Sequence, residues 1–180
     1  MSAPVSGSSR RAWLGAAGVA LVAGATAYAL RRQPEAARQP GPVEEAFWQT
    51  EFSQLDGTTL RMATFRGQHL VVNFWATWCP PCVEELPLLN AFFSENKSKS
   101  WQVVGLAVDQ PSAVRRFQAQ NPLSFPVAMA GLEGTDLSRS LGNLSGGLPF
   151  TVVFGLQGEV RHRKIGRVSP DDLASWLRTG

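Results

Sequence analysis

The sequence predicts an α/β domain built on a mixed sheet and preceded by one N-terminal apolar helix. Three observations predict it. Leu70–Trp75 and Trp101–Val108 are near-continuous apolar runs, the composition of central strands buried on both faces. A helical pattern lies between them, which makes an early β-α-β unit with parallel strands. Near the end, Phe150–Phe154 and Glu159–Lys164 flank Gly155-Leu156-Gln157-Gly158, so a hairpin followed by a helix adds antiparallel strands.

The bulk numbers suit one domain plus an appendage. The chain has 180 residues, 44% of them hydrophobic, enough for a proper core. A net charge of +3 with short, scattered basic clusters (Arg10-Arg11, Arg31-Arg32, Arg161/Arg163/Lys164) and no interleaved aromatics argues against nucleic-acid binding. Two cysteines cannot make a disulfide scaffold.

Residues 1–11 are small and polar and end in Arg10-Arg11, reading as a cytoplasmic tail. Residues 12–30 carry no charge and are bracketed by arginine pairs. As a helix that run spans roughly 28 Å, close to the hydrocarbon thickness of a bilayer. It reads as a transmembrane signal-anchor, with a cleaved signal peptide as the rival because Ala27-Tyr28-Ala29 has the form of a cleavage site. Ser9-Arg10-Arg11-Ala12-Trp13-Leu14 also has elements of a twin-arginine export signal. Residues 31–46, rich in Pro, Ala and charge, read as an extended linker, and the domain as residues 47–180.

Within the domain, Phe52–Leu55 and Thr59–Met62 flank Asp56-Gly57, a hairpin signal. Phe65–Gln68 is a turn leading into Leu70–Trp75. From Pro80 to Asn96 the pattern is helical, with Leu86, Leu89, Phe92 and Phe93 on one stripe. Trp101–Val108 is the second buried strand, Ser112–Gln120 a helix, Phe125–Met129 a short strand and Thr135–Leu141 a short helix. After the C-terminal hairpin, Ser169-Pro170-Asp171-Asp172 supplies an N-cap, a first-turn proline and acids at the positive end of a last helix.

The chemistry lies at Cys79-Pro80-Pro81-Cys82, the only cysteines, placed between a strand and a helix. A loop this short gains little stability from a bridge, so a bond there is chemical rather than structural. C-x-x-C beside a β-α-β pattern reads as a thioredoxin-like redox motif. At the start of the helix, free N–H groups and the macrodipole favour a thiolate on Cys79, the attacking sulfur. Cys82, one turn deeper, is placed to resolve the mixed disulfide. Pro80 and Pro81 lack N–H donors and so change how many reach the Cys79 sulfur, which tunes the reduction potential. A zinc site would need further ligands, and His69 and His162 are the only histidines, so no metal site and no cofactor are expected. Glu85, one turn past Cys82, is a candidate proton acceptor or donor, whereas Glu84 reads as an exposed first-turn acid. Pro149 stands at the first residue of a buried strand, where a proline is tolerated.

The segment Asn73-Phe74-Trp75-Ala76-Thr77-Trp78-Cys79-Pro80-Pro81-Cys82-Val83-Glu84-Glu85-Leu86-Pro87 resembles the membrane-anchored periplasmic thioredoxins of the TlpA/ResA type, relatives of the CcmG/DsbE cytochrome c maturation reductase. The resemblance runs from about Phe47 to Arg178. It implies a thioredoxin fold with an N-terminal hairpin and a β-α insertion after the first β-α unit. It implies a nucleophilic Cys79, a resolving Cys82, an active-site acid at Glu85, a helix-kinking Pro87 and a cis Pro149 facing the disulfide. Trp78 matches the tryptophan before the first cysteine. Asn73 stands where ordinary thioredoxin has a buried acid, so proton handling passes to Glu85 or to water. Substrate contacts are expected at Trp78, Pro80, Leu148 and Pro149.

The expected function is a thiol:disulfide oxidoreductase on the outer face of a bacterial inner membrane, acting as a reductant of protein disulfides. An apocytochrome c haem-attachment pair or a copper-site protein would be examples of such substrates, though the sequence names none. A membrane thiol donor of the CcdA/DsbD type would supply electrons, because the periplasm is otherwise oxidising. The alternatives are a disulfide oxidase or isomerase, and a copper(I)-binding thiol chaperone.

Overall fold

The computed structural model describes residues 39–179. The expected tail, the apolar run at 12–30 and most of the linker lie outside these residues. Among the described residues no helix is long and apolar enough to cross a membrane.

The elements in chain order are α1 (Pro42–Trp48), β1 (Glu51–Gln54), β2 (Thr59–Arg61), a 3-10 turn (Met62–Phe65), β3 (His69–Trp75), α2 (Pro80–Asn96), β4 (Trp101–Ala107), α3 (Pro111–Gln120), β5 (Val127–Met129), α4 (Gly134–Ser140), β6 (Phe150–Phe154), β7 (Val160–Ile165) and α5 (Pro170–Thr179). They form one seven-stranded sheet in the order β2-β1-β5-β4-β3-β6-β7. β3, β4 and β5 are parallel, with Val71 opposite Val103 and Leu106 opposite Ala128. β6 runs antiparallel to β3, and β1, β2 and β7 pair antiparallel at the flanks. This is the mixed α/β sheet of a thioredoxin-like fold.

The two faces of β3 explain its unbroken apolar sequence. Val71 and Trp75 face a core shared with Leu86, Leu89, Phe92 and Phe93 of α2, Val114 of α3 and Trp176 of α5. Leu70, Val72 and Phe74 face a second core with Phe47 and Trp48 of α1, Phe154 and Leu141. A strand covered on both sides has no solvent face to mark with polar residues.

Helix α1 corrects the extended reading of residues 42–46. Pro42 opens it and Glu44 and Glu45 occupy its first turn. Phe47 stacks on Phe154 at 4.7 Å, and the Trp48 indole N–H donates to Gly158 O at 2.7 Å. The helix exists because these two aromatics close the second core; burying each side chain contributes roughly 1.5–3 kcal/mol. At the other end of the chain, Ser169 and Asp172 cap α5 reciprocally. The Asp172 N–H donates to Ser169 Oγ at 3.2 Å, and Asp172 Oδ2 accepts from the Ser169 N–H at 2.8 Å.

The topology sets where chemistry can occur. The C-terminal ends of β3, β4 and β5 and the start of β6 all lie at one edge of the sheet, because Phe74 pairs with Phe150 and Trp75 with Ala107. Loops leaving this edge carry the dithiol, Asp109 and Pro149, the positions where open α/β sheets place their sites.

Candidate active site

Strand β3 ends at Trp75, and four residues later Cys79 caps α2 with an extended backbone (φ −105°, ψ 98°). Pro80 and Pro81 take the first helical positions, where no intrahelical N–H bond is required. Cys79 and Cys82 are joined as a disulfide. Cys79 is 4% exposed and Cys82 fully buried, while Trp78 beside them is 67% exposed. Exposed Trp78 and Pro80 thus flank the Cys79 side of the bond, the side with any exposure.

The prolines leave few donors for a Cys79 thiolate. The first N–H groups of α2 belong to Cys82 and Val83, and both donate to the Cys79 carbonyl oxygen, at 3.0 and 3.1 Å. The helix dipole still favours negative charge here, but no first-turn N–H of α2 is free to bind the sulfur directly.

Glu85 is buried one turn past Cys82. Its Oε1 accepts from Asn73 Nδ2 at 2.7 Å, and its Oε2 accepts from the Val168 backbone N–H at 2.6 Å. Burial pushes its carboxyl up from 4.5 to about 7, against the opposing pull of the Val168 N–H, the Asn73 amide and the charges of Arg167 and Lys164. Such a group changes protonation near neutral pH, as a proton carrier must. Asn73 Nδ2 also reaches Thr151 Oγ1 on β6 at 3.0 Å, so the position that holds an acid in ordinary thioredoxin here holds the acid of the neighbouring helix. Glu84 points outward and meets Arg167 at 2.5 Å, both side chains 58% exposed.

Pro149 is buried and follows a cis Leu148–Pro149 bond, as the family resemblance implied. Its carbonyl accepts from the Gly166 N–H at 2.9 Å. Two residues on, Val168 holds Glu85, so one loop links Pro149 to the buried carboxyl. Leu148 is half-buried and packs against both cores. Cys79, Cys82, Glu85, Trp78, Pro80, Leu148 and Pro149 thus all lie on elements and loops at one edge of the sheet.

One residue of this region was not singled out from the sequence. Asp109, just after β4, accepts at Oδ2 from both the backbone N–H and the hydroxyl of Thr77, each at 2.7 Å, and at Oδ1 from the Gln110 N–H at 2.6 Å. It ties the loop that carries Trp78 and Cys79 to the adjacent strand. An acid placed directly after a predicted central strand is the available signal, but its partner lies 32 residues away.

The family model described as Redoxin matches residues 42–177. The chain is 31% identical over 128 residues to the thiol-disulfide oxidoreductase ResA of Bacillus cereus, a match covering 70% of this chain and 71% of that protein. A thioredoxin family thiol:disulfide interchange protein from Chlorobium tepidum TLS superposes with a TM-score of 0.64 at 29% identity, covering 80% of this chain and 99% of that one. A thioredoxin-related protein from Neisseria meningitidis serogroup B also gives 0.64, at 30% identity, covering 71% and 96%.

Proposed function

The chain belongs to the Redoxin family and is a thiol–disulfide oxidoreductase, and from that premise we propose that it works as a reductant of protein disulfides outside the cytoplasm. The observation that carries the direction is the shortage of donors around Cys79. Strong oxidants of this kind are strong because their reduced form is stabilised. Here Pro80 and Pro81 supply no N–H, the next two are spent on the Cys79 carbonyl, and a titrating carboxyl lies one turn from Cys82. Each of these disfavours the thiolate and so favours the disulfide of the enzyme, which makes its dithiol the better electron donor.

In the cycle, the Cys79 thiolate attacks one sulfur of a substrate disulfide. The substrate S–S bond breaks, its other sulfur leaves as a thiolate and takes up a proton, and a Cys79–substrate disulfide forms. The Cys82 thiol gives its proton to the Glu85 carboxylate and attacks Cys79 Sγ. The second substrate thiolate departs and is protonated, and the enzyme is left as the Cys79–Cys82 disulfide. One electron pair has passed from enzyme to substrate. Asn73 and Val168 hold Glu85 in place for the proton step. Trp78, Pro80, Leu148 and Pro149 form the surface against which the substrate chain lies.

The extracytoplasmic placement rests on the uncharged N-terminal run at 12–30, read as a signal-anchor or export signal; the arginine pairs on both flanks give it no orientation of their own. From it follows the need for an electron source across the membrane, of the CcdA/DsbD type, and substrates such as apocytochrome c or a copper-site protein. The reduction potential of the Cys79–Cys82 pair tests the direction. A value near about −270 mV is expected; a value near about −120 mV would make the protein an oxidant and overturn the proposal.

A further inference from the structure

A groove of about 400 Å³ opens along the seam between α2 and the α3–β5 connection. Val83, Leu86 and Pro87 of α2 form one wall, and Phe117 and Leu123 form the other. Its size falls within the range of small-ligand sites. Two features connect it to the dithiol. Val83 lies four residues after Cys79 and Pro87 four after that, so groove wall and attacking sulfur share one face of α2. Leu86, Phe117 and Leu123 also belong to, or pack on, the apolar cluster that contains both cysteines.

We propose that this groove binds an extended apolar segment of the substrate polypeptide, next in sequence to the cysteine that Cys79 attacks. The inference rests on Cys79 being the attacking sulfur. The occupant follows from the α2 face that Cys79 shares with Val83 and Pro87, and from length. At 1.5 Å per residue the groove begins roughly 6 Å along α2 from Cys79, at Val83, and ends roughly 16 Å along it, at Asn90. An extended chain advances about 3.3 Å per residue, so residues two to five from the substrate cysteine fall over the groove. Side chains that enter it exchange water for Leu86, Phe117 and Leu123, which selects Leu, Met or Phe there. The bound segment is therefore unfolded or loop-like: a compact folded surface could not lay four consecutive residues along the seam.

The test uses the full chain carrying Cys82→Ser and synthetic peptides. Each peptide has one cysteine, activated as a thiopyridine disulfide, and a photoreactive benzoyl-phenylalanine at a position one to six residues away on either side. Cys79 displaces thiopyridine thiolate and keeps the peptide as a mixed disulfide. Irradiation and mass spectrometry then locate the crosslink. Probes two to five residues away should mark Phe117 and the stretch from Gln120 to Leu123. Crosslinks confined to Trp78, Leu132 or Leu144 would overturn the groove while leaving the Cys79 chemistry standing, and so would a second copy of the chain found in the groove. Failure to trap any peptide would overturn the Cys79 assignment and the inference with it. A second arm measures trapping rates for a leucine-bearing peptide against its glycine counterpart. The ratio should be about tenfold, the effect of one well-buried apolar side chain. It should fall towards one when exposed Gln120 at the rim is changed to tryptophan; an unaltered ratio would overturn the assignment.

Discussion

Replacing Glu85 with glutamine should reverse its effect on stability between acid and alkaline pH. The carboxyl is held at about 7 in the folded protein against a usual 4.5. The folded state therefore binds more protons than the unfolded state between these two values, and stability falls as pH rises through that window. Above about pH 7 the folded protein carries a penalty of roughly 3 kcal/mol for ionising this group, since each pKa unit is worth about 1.4 kcal/mol. Below about pH 4.5 both states are protonated and the penalty is absent. Glutamine never ionises, so Glu85→Gln removes the penalty. It also presents one carbonyl and one amide to two donors, the Asn73 amide and the Val168 N–H. One mismatched bond costs about 1–2 kcal/mol, relieved in part if Asn73 turns its Oδ1, which has no partner among the described residues. The variant should thus be about 1 kcal/mol less stable than the parent at pH 4 and about 1–2 kcal/mol more stable at pH 8. Urea denaturation of the oxidised proteins at both pH values measures this. A difference of the same sign and size at both would refute the burial argument. The same variant should release substrate from the mixed disulfide on the order of 10²-fold more slowly, and the parent's rise in release rate through pH 7 should vanish.

Asn73→Asp would set a second carboxyl 2.7 Å from the first. The pair would share a proton, and the apparent pKa of release should rise above the parent's, read from the pH–rate profile; an unmoved profile would detach Asn73 from the proton step. Asp109→Ala removes three hydrogen bonds, two of which tie the Thr77 loop to the end of β4. It should cost about 2 kcal/mol in urea denaturation and slow exchange with protein disulfides, while Asp109→Asn, which keeps an acceptor, should recover part of both. Gly158→Ala would bring a Cβ within 2.8 Å of the Trp48 indole nitrogen at a φ of +87°. A loss of more than about 1 kcal/mol is expected, and a neutral result would mean α1 is not seated on the second core as described.

Much of the fold was legible because its signals are local. The buried strands β3 and β4, the helix after Cys82 and the capped C-terminal helix each announce themselves within about ten residues. Helix α1 was legible in principle, since Pro42, Glu44 and Glu45 are start signals. The prolines and charges before it favoured a linker, and what makes the helix stable, Phe154 and Gly158, lies more than 100 residues away. The site divides in the same way. Cys79, Cys82 and Glu85 follow from a motif and a helical turn, whereas Asp109 carries no local mark of its partner Thr77.

The chain's own order of residues was enough to establish a dithiol at a strand-to-helix junction, an acid one turn behind it and no other thiol to compete, because strand and helix periods are properties of neighbouring residues. The chemistry of that acid was not contained there. Glu85 titrates near neutrality because folding removes it from water and gives it Asn73 from β3 and Val168 from a loop 83 residues downstream. The fate of the first N–H groups of α2, the meeting of Pro149 with Gly166, and the groove along the α2–α3 seam likewise arise only when distant segments pack. Sequence spacing specifies which groups a segment carries; desolvation and long-range contact decide what those groups do.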